Sequence, residues 1–600
     1  MMIILFAFPK TVIAQQEEDS LRMYRQIGEK SKKWGFTRWL FETIVVMPKP
    51  EKKKRLKKPV KLIQPFVAEE GKVIRSVNIW VMDPFGFSVN DTARRPSAKL
   101  EKYGNQLHVS SKSFLIRNQL LFQKGDSVDV LKISESERIL RQAPYINDAR
   151  ITVKRIPGKS GKDSVDVTVF VQDQWSIIPE SNIDPTAPNL IITDKNFLGL
   201  GTSIRQDIAY YSSDNSGLIK GEYGIFNIRK SFLSTNLIYQ SARDLSYLGV
   251  QLDRPFFSPL TKWAGGLSYI RKSTWFYPFQ DTALILRRFP ILYDEFDVWA
   301  AKSWQFKHGK TIEKRSTALV AGLRLFQSNY ETRPGWEIDP FYQNTDQTLI
   351  LSSIGITRRQ FYKEKYLYRF GANEDVPIGF SLQLIGGQQR REFQPVLFYS
   401  GASAAVGWYR KMVGYIALSA SYGNFHTKSN IDRGVIRLNV NSFSNLVRYE
   451  NWAFRQFASV NTVIGLNRQG FEFIDLNGSQ MYGFNSDVLK GQSKAILNLE
   501  TVFYTPYNVF GFRLAPVLLI GLGKIGYTFN QLANSRIYQA YSIGLLVRND
   551  NLVFQTFELS IGIYPYLPGA NSAYVLNPVR SYRLRVRDFA IPKPELVKYD

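Results

Sequence analysis

The sequence predicts a membrane all-β protein, an antiparallel transmembrane β-barrel preceded by a small α+β domain. Three observations predict it. From about Trp175 onward, stretches of roughly ten residues alternate apolar with polar and are separated by Gly/Asn/Asp/Ser/Pro turns. In the stretch 557–563, Phe557, Leu559, Ile561 and Ile563 share one face, while Glu558, Ser560 and Gly562 share the other. A strand has this period of two and a helix does not. Aromatic residues make up 14% of the chain, with 32 Tyr and 41 Phe, and a membrane barrel needs aromatic girdles at both interfaces. Beyond the N-terminus there is no apolar run of about 18 residues, the length a membrane helix needs. A barrel escapes that test because half of its strand residues face water.

At 600 residues the chain is long enough for at least two domains. It has no cysteine, which excludes disulfides, thiolate catalysis, Cys-based metal sites and an anchor on an N-terminal Cys. The three histidines, His108, His308 and His426, are far apart and give no support to a His-based metal site. Gly-x-Ser-x-Gly, His-Glu-x-x-His and Gly-x-x-x-x-Gly-Lys-Ser/Thr are all missing from the sequence. No enzymatic activity and no cofactor are therefore expected. The net charge is +27, with Lys and Arg scattered through the strand region instead of gathered in one compact domain. That distribution argues against nucleic acid. It suits a basic lumen and basic loops facing a polyanionic surface, namely outer-membrane lipid and lipopolysaccharide.

Residues 1–14 read as a secretory signal: the apolar run 1–8 leads to Thr11-Val12-Ile13-Ala14, with cleavage after Ala14. The basic start of such a signal is missing. Residues 15–70 read as a helical segment over 19–47, broken at Gly35, then a basic Pro/Lys linker over 48–59. The segment 34–41 could lie on a membrane surface or pack on the next domain; the linker could touch lipid phosphates or be solvated.

Residues 71–174 follow a different grammar. Val73–Val81 reads as a strand, 113–123 and 134–142 as helices, and 149–156 and 164–171 as a strand pair across the turn 157–162. Ser134 and Glu137 stand at capping-box spacing, and Gly125-Asp126 marks the turn between the helices. Strand, helix, helix, strand, strand makes a small α+β domain.

Here the chain resembles a family. Gly125-Asp126-Ser127-Val128 before a helix, Arg138-Ile139-Leu140, Tyr145-Ile146-Asn147-Asp148-Ala149 and Val165-Asp166-Val167-Thr168-Val169 are similar to a POTRA domain. Asp173-Gln174-Trp175-Ser176-Ile177 and Asn196-Phe197-Leu198-Gly199-Leu200-Gly201 resemble the junction into the barrel of the BamA/TamA/FhaC superfamily. The resemblance implies a sixteen-stranded barrel over 175–600 in a Gram-negative outer membrane, with the POTRA-like domain in the periplasm. It also implies that unfolded β-protein clients, outer-membrane or secreted, add a strand to a POTRA sheet edge. Here that edge is Ile151, Thr152, Val153 and Lys154 within 149–156. An exposed edge offers unpaired backbone groups to any extended peptide, and a purely structural hairpin would read the same. Periplasmic or lipoprotein accessory subunits are implied as further partners.

The family's lumen-folded loop matches residues 477–491, with its tip at Met481-Tyr482-Gly483-Phe484. Tyr482 stands where the family has Arg, and Gly521 where its wall partner has Asp. Losing both together avoids stranding a buried charge, which would cost about 3–5 kcal/mol. The Tyr482 ring is expected to cover the bare backbone at Gly521; the other reading is an ordinary surface loop. Five strands should follow, 493–504, 513–527, 538–548, 552–564 and 581–589, while about fourteen candidates precede the loop where the resemblance wants eleven. In the last strand, Tyr582, Leu584 and Val586 should face lipid between lumen-facing Arg residues, ending a C-terminal signal at Phe589. Ala590–Asp600 continues past it, with Pro592 and Pro594 preventing further ladder.

The expected function is that of a β-barrel assembly and translocation protein, inserting clients by strand templating. The alternatives are a secretion pore for one soluble β-rich client and a passive porin or structural barrel.

Overall fold

The structure of the chain is a computed structural model. It describes residues 60–577 and 588–600, apart from 98, 158–162, 183–186, 213, 278–287, 307–311, 368–372, 428–430, 450, 471, 507, 510–511, 550–556 and 570–573. The expected signal, the helical segment over 19–47 and the basic linker over 48–59 lie outside the described residues, as do Tyr582, Leu584 and Val586.

Period-two alternation builds most of the molecule. Among the described residues, one sheet holds 23 strands. Three of them are short pieces, Val60–Lys61, Val447–Tyr449 and Asn508–Val509; the other twenty run from Ile177–Asn182 to Tyr574–Asn577. Each of the twenty pairs antiparallel with the next, as in Tyr269 opposite Phe296 or Ile354 opposite Leu384. The sheet therefore exceeds the expected sixteen strands. Among the described residues fifteen precede the 467–492 loop, close to the fourteen candidates read from alternation and more than the eleven the resemblance wants.

The two faces of this sheet differ as the alternation requires. Leu559, Ile561 and Ile563 are 48%, 61% and 46% exposed, while Ser560 between them is 4% exposed. Ile350 and Ile354 are likewise exposed and Leu351 and Ser353 buried. The buried side, here called the inner face, is covered by other parts of the chain; the outer face is an apolar band open to its surroundings. Aromatic residues gather at both ends of that band. Trp263 and Trp304 flank the Lys302 ammonium, at 4.6 and 5.4 Å from the ring centroids, at one end. Trp275 lies under Arg288 at the other. Among the described residues, no helix is long and apolar enough to cross a membrane, which says nothing about strands.

The second unit is a three-stranded sheet in which Ser164–Asp173 lies between Val73–Met82, parallel to it, and Ile146–Ile156, antiparallel. Val165, Val167, Val169 and Val171 of the central strand are fully buried against the helices Ser113–Gln119 and Val130–Gln142. This core reaches back before residue 71, because Phe66 of the 3-10 turn Gln64–Glu69 is 2% exposed within it. The longer helix starts before the expected Ser134. Its cap is Asp129, whose carboxylate accepts from the N–H groups of Leu131 and Lys132. Ser134 and Glu137 are thus interior to the helix and form no capping box. Starting at Val130 lets the helix bury Val130, Leu131 and Ile133, a gain that an N-terminus at Ser134 would forgo. A further helix, Lys99–Leu107, has a largely polar sequence that includes Gly104.

The small domain sits against the ends of the large sheet. Gly199 in the Phe197–Thr202 turn has φ +70° and approaches so closely that a Cβ would stand 2.5 Å from the Ser110 carbonyl oxygen. Asn196 closes that turn, accepting from the Gly201 N–H at 2.8 Å and donating to the Ser111 hydroxyl at 2.9 Å. Val60–Lys61 adds to the wall by pairing with Lys363 and Tyr362.

Candidate functional site

The inner face is filled from three directions, and each filling element is built from short-range rules. At the end away from the small domain, the 467–492 loop folds inward. Its tip is a 3-10 turn, Ser479–Met481, followed by Tyr482 in the left-handed region at φ 46° and ψ 48°. Holding a non-glycine residue there costs on the order of 1–3 kcal/mol, so its surroundings must fix it. They do: the Tyr564 hydroxyl donates to the Tyr482 carbonyl at 2.8 Å, and Asn498 donates to the Gln480 carbonyl at 2.8 Å. Lys494, 1% exposed, donates to Gln480 Oε1 at 2.6 Å and to the Asp475 carbonyl at 3.1 Å.

Met481 and Phe484 are fully buried, and Gly483 N–H closes back on the Gly478 carbonyl at 2.9 Å. A Cβ on Gly521 would stand 2.9 Å from Met481 Cγ and 3.4 Å from Tyr482 Cδ2. Tip and wall glycine are therefore in contact, with Met481 the nearer neighbour and Tyr482 beside it. Sequence reasoning missed Lys494, Asn498 and Gln480 as the polar anchors of the loop. Their signal is that Lys494, Ile496 and Asn498 alternate on one face of the first strand after the loop.

From below, the helix Val130–Gln142 presents charged residues to the sheet end. Arg141 forks onto Asp375, donating from Nε at 2.8 Å and Nη2 at 2.6 Å, and reaches Glu137 at 2.6 Å through Nη1. Glu137 is also paired with Lys363 of the wall. Arg138 binds Glu135 at 2.7 Å, donates to the Phe257 carbonyl, and stacks 4.4 Å over the Phe361 ring. Asn373 meets Asp148 at 3.1 Å, and Arg315 pairs with Asp129. Arg138, Arg141 and Glu137 are all buried.

Burial opposes ionisation of Glu137, but the Arg141 and Lys363 charges and the Ile151 N–H outweigh it and hold the carboxyl below its usual range. A group shifted down stabilises above its unfolded pKa, near 4.3, and loses that contribution as pH falls through the folded value. Hydrogen-exchange protection of residues 130–142 should therefore hold from pH 7 down to about 4.5 and fall below it. Glu137→Gln should abolish that step. Protection lost instead on raising the pH would contradict this assignment.

The same pair alters the expected client edge. Ile146–Ile156 is an edge strand, pairing only with Ser164–Asp173 within its sheet. The Ile151 N–H donates to Glu137 Oε2 at 2.7 Å, and the Ala149 carbonyl accepts from Arg141 at 2.9 Å. Of the four residues expected to receive a client strand, Ile151 is therefore occupied by the chain's own helix. Alternation turns the backbone groups of Thr152 and Lys154 toward Ser164–Asp173, leaving Val153 and then Arg155 as the next outward positions. The stretch of this edge not covered by the helix is shorter than Ile151–Lys154 and shifted toward Ile156.

The third element overturns an expectation. Residues 588–600 form no strand. Phe589 is 3% exposed beneath the inner face of Leu397–Arg410, where a Cβ on Gly407 would collide with its ring. It cannot end a lipid-facing signal. The segment then runs along the inner face: Lys593 pairs with Asp297, Leu596 packs beside Tyr399 and Phe425, and Tyr599 donates to the Gln492 carbonyl at 2.9 Å. Pro592 and Pro594 deny it the donors for a ladder, and side-chain burial against the wall replaces strand pairing.

No family model matches the chain, and no curated protein matches it. Solved structures do. The crystal structure of BamA from Haemophilus ducreyi lacking POTRA domains 1–3 is 9% identical, over 84% of this chain and 83% of that one, with a TM-score of 0.32. CdiB from Acinetobacter baumannii is 10% identical over 93% and 98%, with a TM-score of 0.35. CdiB from Escherichia coli is 9% identical over 96% and 98%, with a TM-score of 0.40.

Proposed function

We propose that the large sheet closes into an outer-membrane barrel of the BamA/TamA/FhaC type, and that the protein assembles or translocates β-rich client proteins. One observation carries this reading: an antiparallel sheet with an apolar outer face whose inner face is covered by an inward loop, a docked α+β domain and an extended segment. A lipid-exposed sheet must leave no open edge, so the Ile177–Asn182 and Tyr574–Asn577 ends of the sheet would meet. Aromatic and basic residues at both ends of the outer band suit a lipid interface and anionic headgroups. A filled interior does not suit a passive pore. In the insertion reading, a client strand first pairs at Val153–Ile156, then at the closing seam, and is driven by completed backbone pairing and apolar burial in lipid. Accessory subunits would act at the small domain.

A second reading, export of a soluble β-rich client through the interior, is favoured by the extended course of residues 588–600 along the inner face. Depletion separates the two. Loss of several barrel proteins from the outer membrane supports insertion. Periplasmic accumulation of one secreted client supports export. Neither effect, together with steady solute conductance in reconstituted bilayers, would overturn both.

A further inference from the structure

The inner face carries a furrow matched to the 588–600 segment. Five glycines on five different strands lie against it, and a Cβ on each would meet a side chain of the segment; at Gly355, Gly423 and Gly465 it would also meet a nearer wall atom, the Leu382 carbonyl, the Tyr399 hydroxyl and the Gln492 carbonyl. Beyond the Gly407–Phe589 contact, a Cβ on Gly355 would stand 2.6 Å from Ile591 Cδ1, and one on Gly322 3.3 Å from Pro594 Cγ. A Cβ on Gly423 would be 3.0 Å from Val597 Cβ, and one on Gly465 3.1 Å from the Tyr599 hydroxyl. Filling a bore requires only bulk, and larger wall side chains supply it. A row of notches registered with successive side chains is the geometry by which a groove receives an extended peptide.

The wall also reads the peptide groups themselves. Thr357 donates to the Phe589 carbonyl at 2.6 Å, and Arg324 to the Pro594 carbonyl at 3.2 Å. The Val597 N–H donates to the Tyr399 hydroxyl at 2.8 Å, and Arg437 donates to the Lys598 carbonyl at 3.3 Å. These contacts use main-chain atoms, which every polypeptide has. Charged residues fix the register: Asp588 on Arg359, Lys593 on Asp297 and Asp600 on Arg437.

We propose that this furrow is a receptor for an extended segment of the client polypeptide, and that residues 588–600 occupy it as an internal stand-in. The proposal rests on the translocation reading above and adds where in the interior the client is held. The segment that fits is extended, carries aliphatic or aromatic side chains at the notch positions and has charged residues between them. A tethered occupant competes at an effective concentration on the order of millimolar, so the furrow stays shut to weak peptides. One turn connects the furrow to the small domain. Arg359, which holds Asp588, donates to the Phe256 carbonyl at 2.8 Å, and Arg138 of the docked helix donates to the adjacent Phe257 carbonyl.

The test uses the full chain and a variant lacking residues 588–600, both in detergent, with a fluorescein-labelled peptide of the 588–600 sequence as probe. Heat-modifiable gel mobility verifies folding of each variant. The shortened protein should bind the peptide saturably, and the full chain at least about tenfold more weakly. Gly423→Leu in the shortened protein should lower affinity about tenfold or more, while Gly386→Ala, at a position with room for a Cβ, should not. Where shortening blocks folding, full-length Leu596→Asp/Val597→Asp, which evicts the segment without removing it, should gain peptide binding in its place. Joining Gly322→Cys to Pro594→Cys by oxidation should abolish binding to that variant, and reduction should restore it. Folded protein with a vacated furrow that fails to bind the peptide, or binding indifferent to Gly423→Leu, overturns the proposal. The readout is peptide affinity of purified protein, so it can fail while the depletion phenotype stands, or stand while that phenotype fails.

Discussion

Arg141→Ala releases the small domain from the sheet. The substitution leaves the Asp375 carboxylate without its bidentate partner, the Ala149 carbonyl without its donor and Glu137 facing Lys363 alone. Removing one member of a buried ion cluster costs about 3–5 kcal/mol, because the remaining charges stay desolvated. That should raise the undocked population by roughly two to three and a half orders of magnitude. Limited proteolysis at the 173–177 junction reads it directly, with cleavage faster by the same factor when opening and closing are fast relative to cleavage. Replacing the whole set with apolar residues, Glu137→Leu, Arg141→Met, Lys363→Met and Asp375→Leu, should recover most of the protection, since no member of the set is then left buried without its partner. Unchanged cleavage in Arg141→Ala would mean that the cluster does not hold the domain.

Gly521→Leu should expel the loop tip. Its Cβ alone would stand 2.9 Å from Met481 Cγ, and the added branch would enter the volume of a fully buried side chain. Overpacking of this kind costs about 1–3 kcal/mol, and the strained backbone at Tyr482 adds to the drive outward. The chain has no cysteine, so Tyr482→Cys gives a background-free reporter. In wild-type background that site should resist a membrane-impermeant maleimide added from outside; with Gly521→Leu it should label readily, and reconstituted protein should show frequent conductance events. Gly521→Ala should give the same changes more weakly. Equal labelling with and without Gly521→Leu would place the tip outside the interior in the native state.

Much of this architecture was legible because one rule, alternation, governs both local conformation and burial. Leu559, Ile561 and Ile563 declared their face in the sequence, and the strand Ser493–Tyr504 was placed to the residue. Tyr482 and Gly521 could be paired because each departs from the resemblance at a position whose partner also departs. The strand number was not legible in that way. Alternation gave about fourteen upstream strands, close to the fifteen present, and the resemblance argued the count down to eleven. Ser134 and Glu137 satisfied a local capping rule that lost to burial of Val130, Leu131 and Ile133, with Asp129 free to cap one turn earlier. Glu137, read as a cap, serves instead as a wedge on the sheet edge and an anchor to the wall. Phe589 ended an alternating pattern that fits a lipid-facing strand, yet the notch at Gly407 that receives it lies 182 positions away in sequence, and no local pattern announces such a contact.

The central claim is that one face of this sheet meets lipid while the other encloses a filled interior. Single cysteines at 559, 560, 561, 562 and 563, each carrying a nitroxide in reconstituted bilayers, test it most directly by their relative accessibility to oxygen dissolved in lipid and to a water-soluble nickel chelate. The account predicts strict alternation, with 559, 561 and 563 open to oxygen and 560 and 562 protected from both reagents. Uniform accessibility to the nickel chelate, or no alternation along the strand, would contradict it.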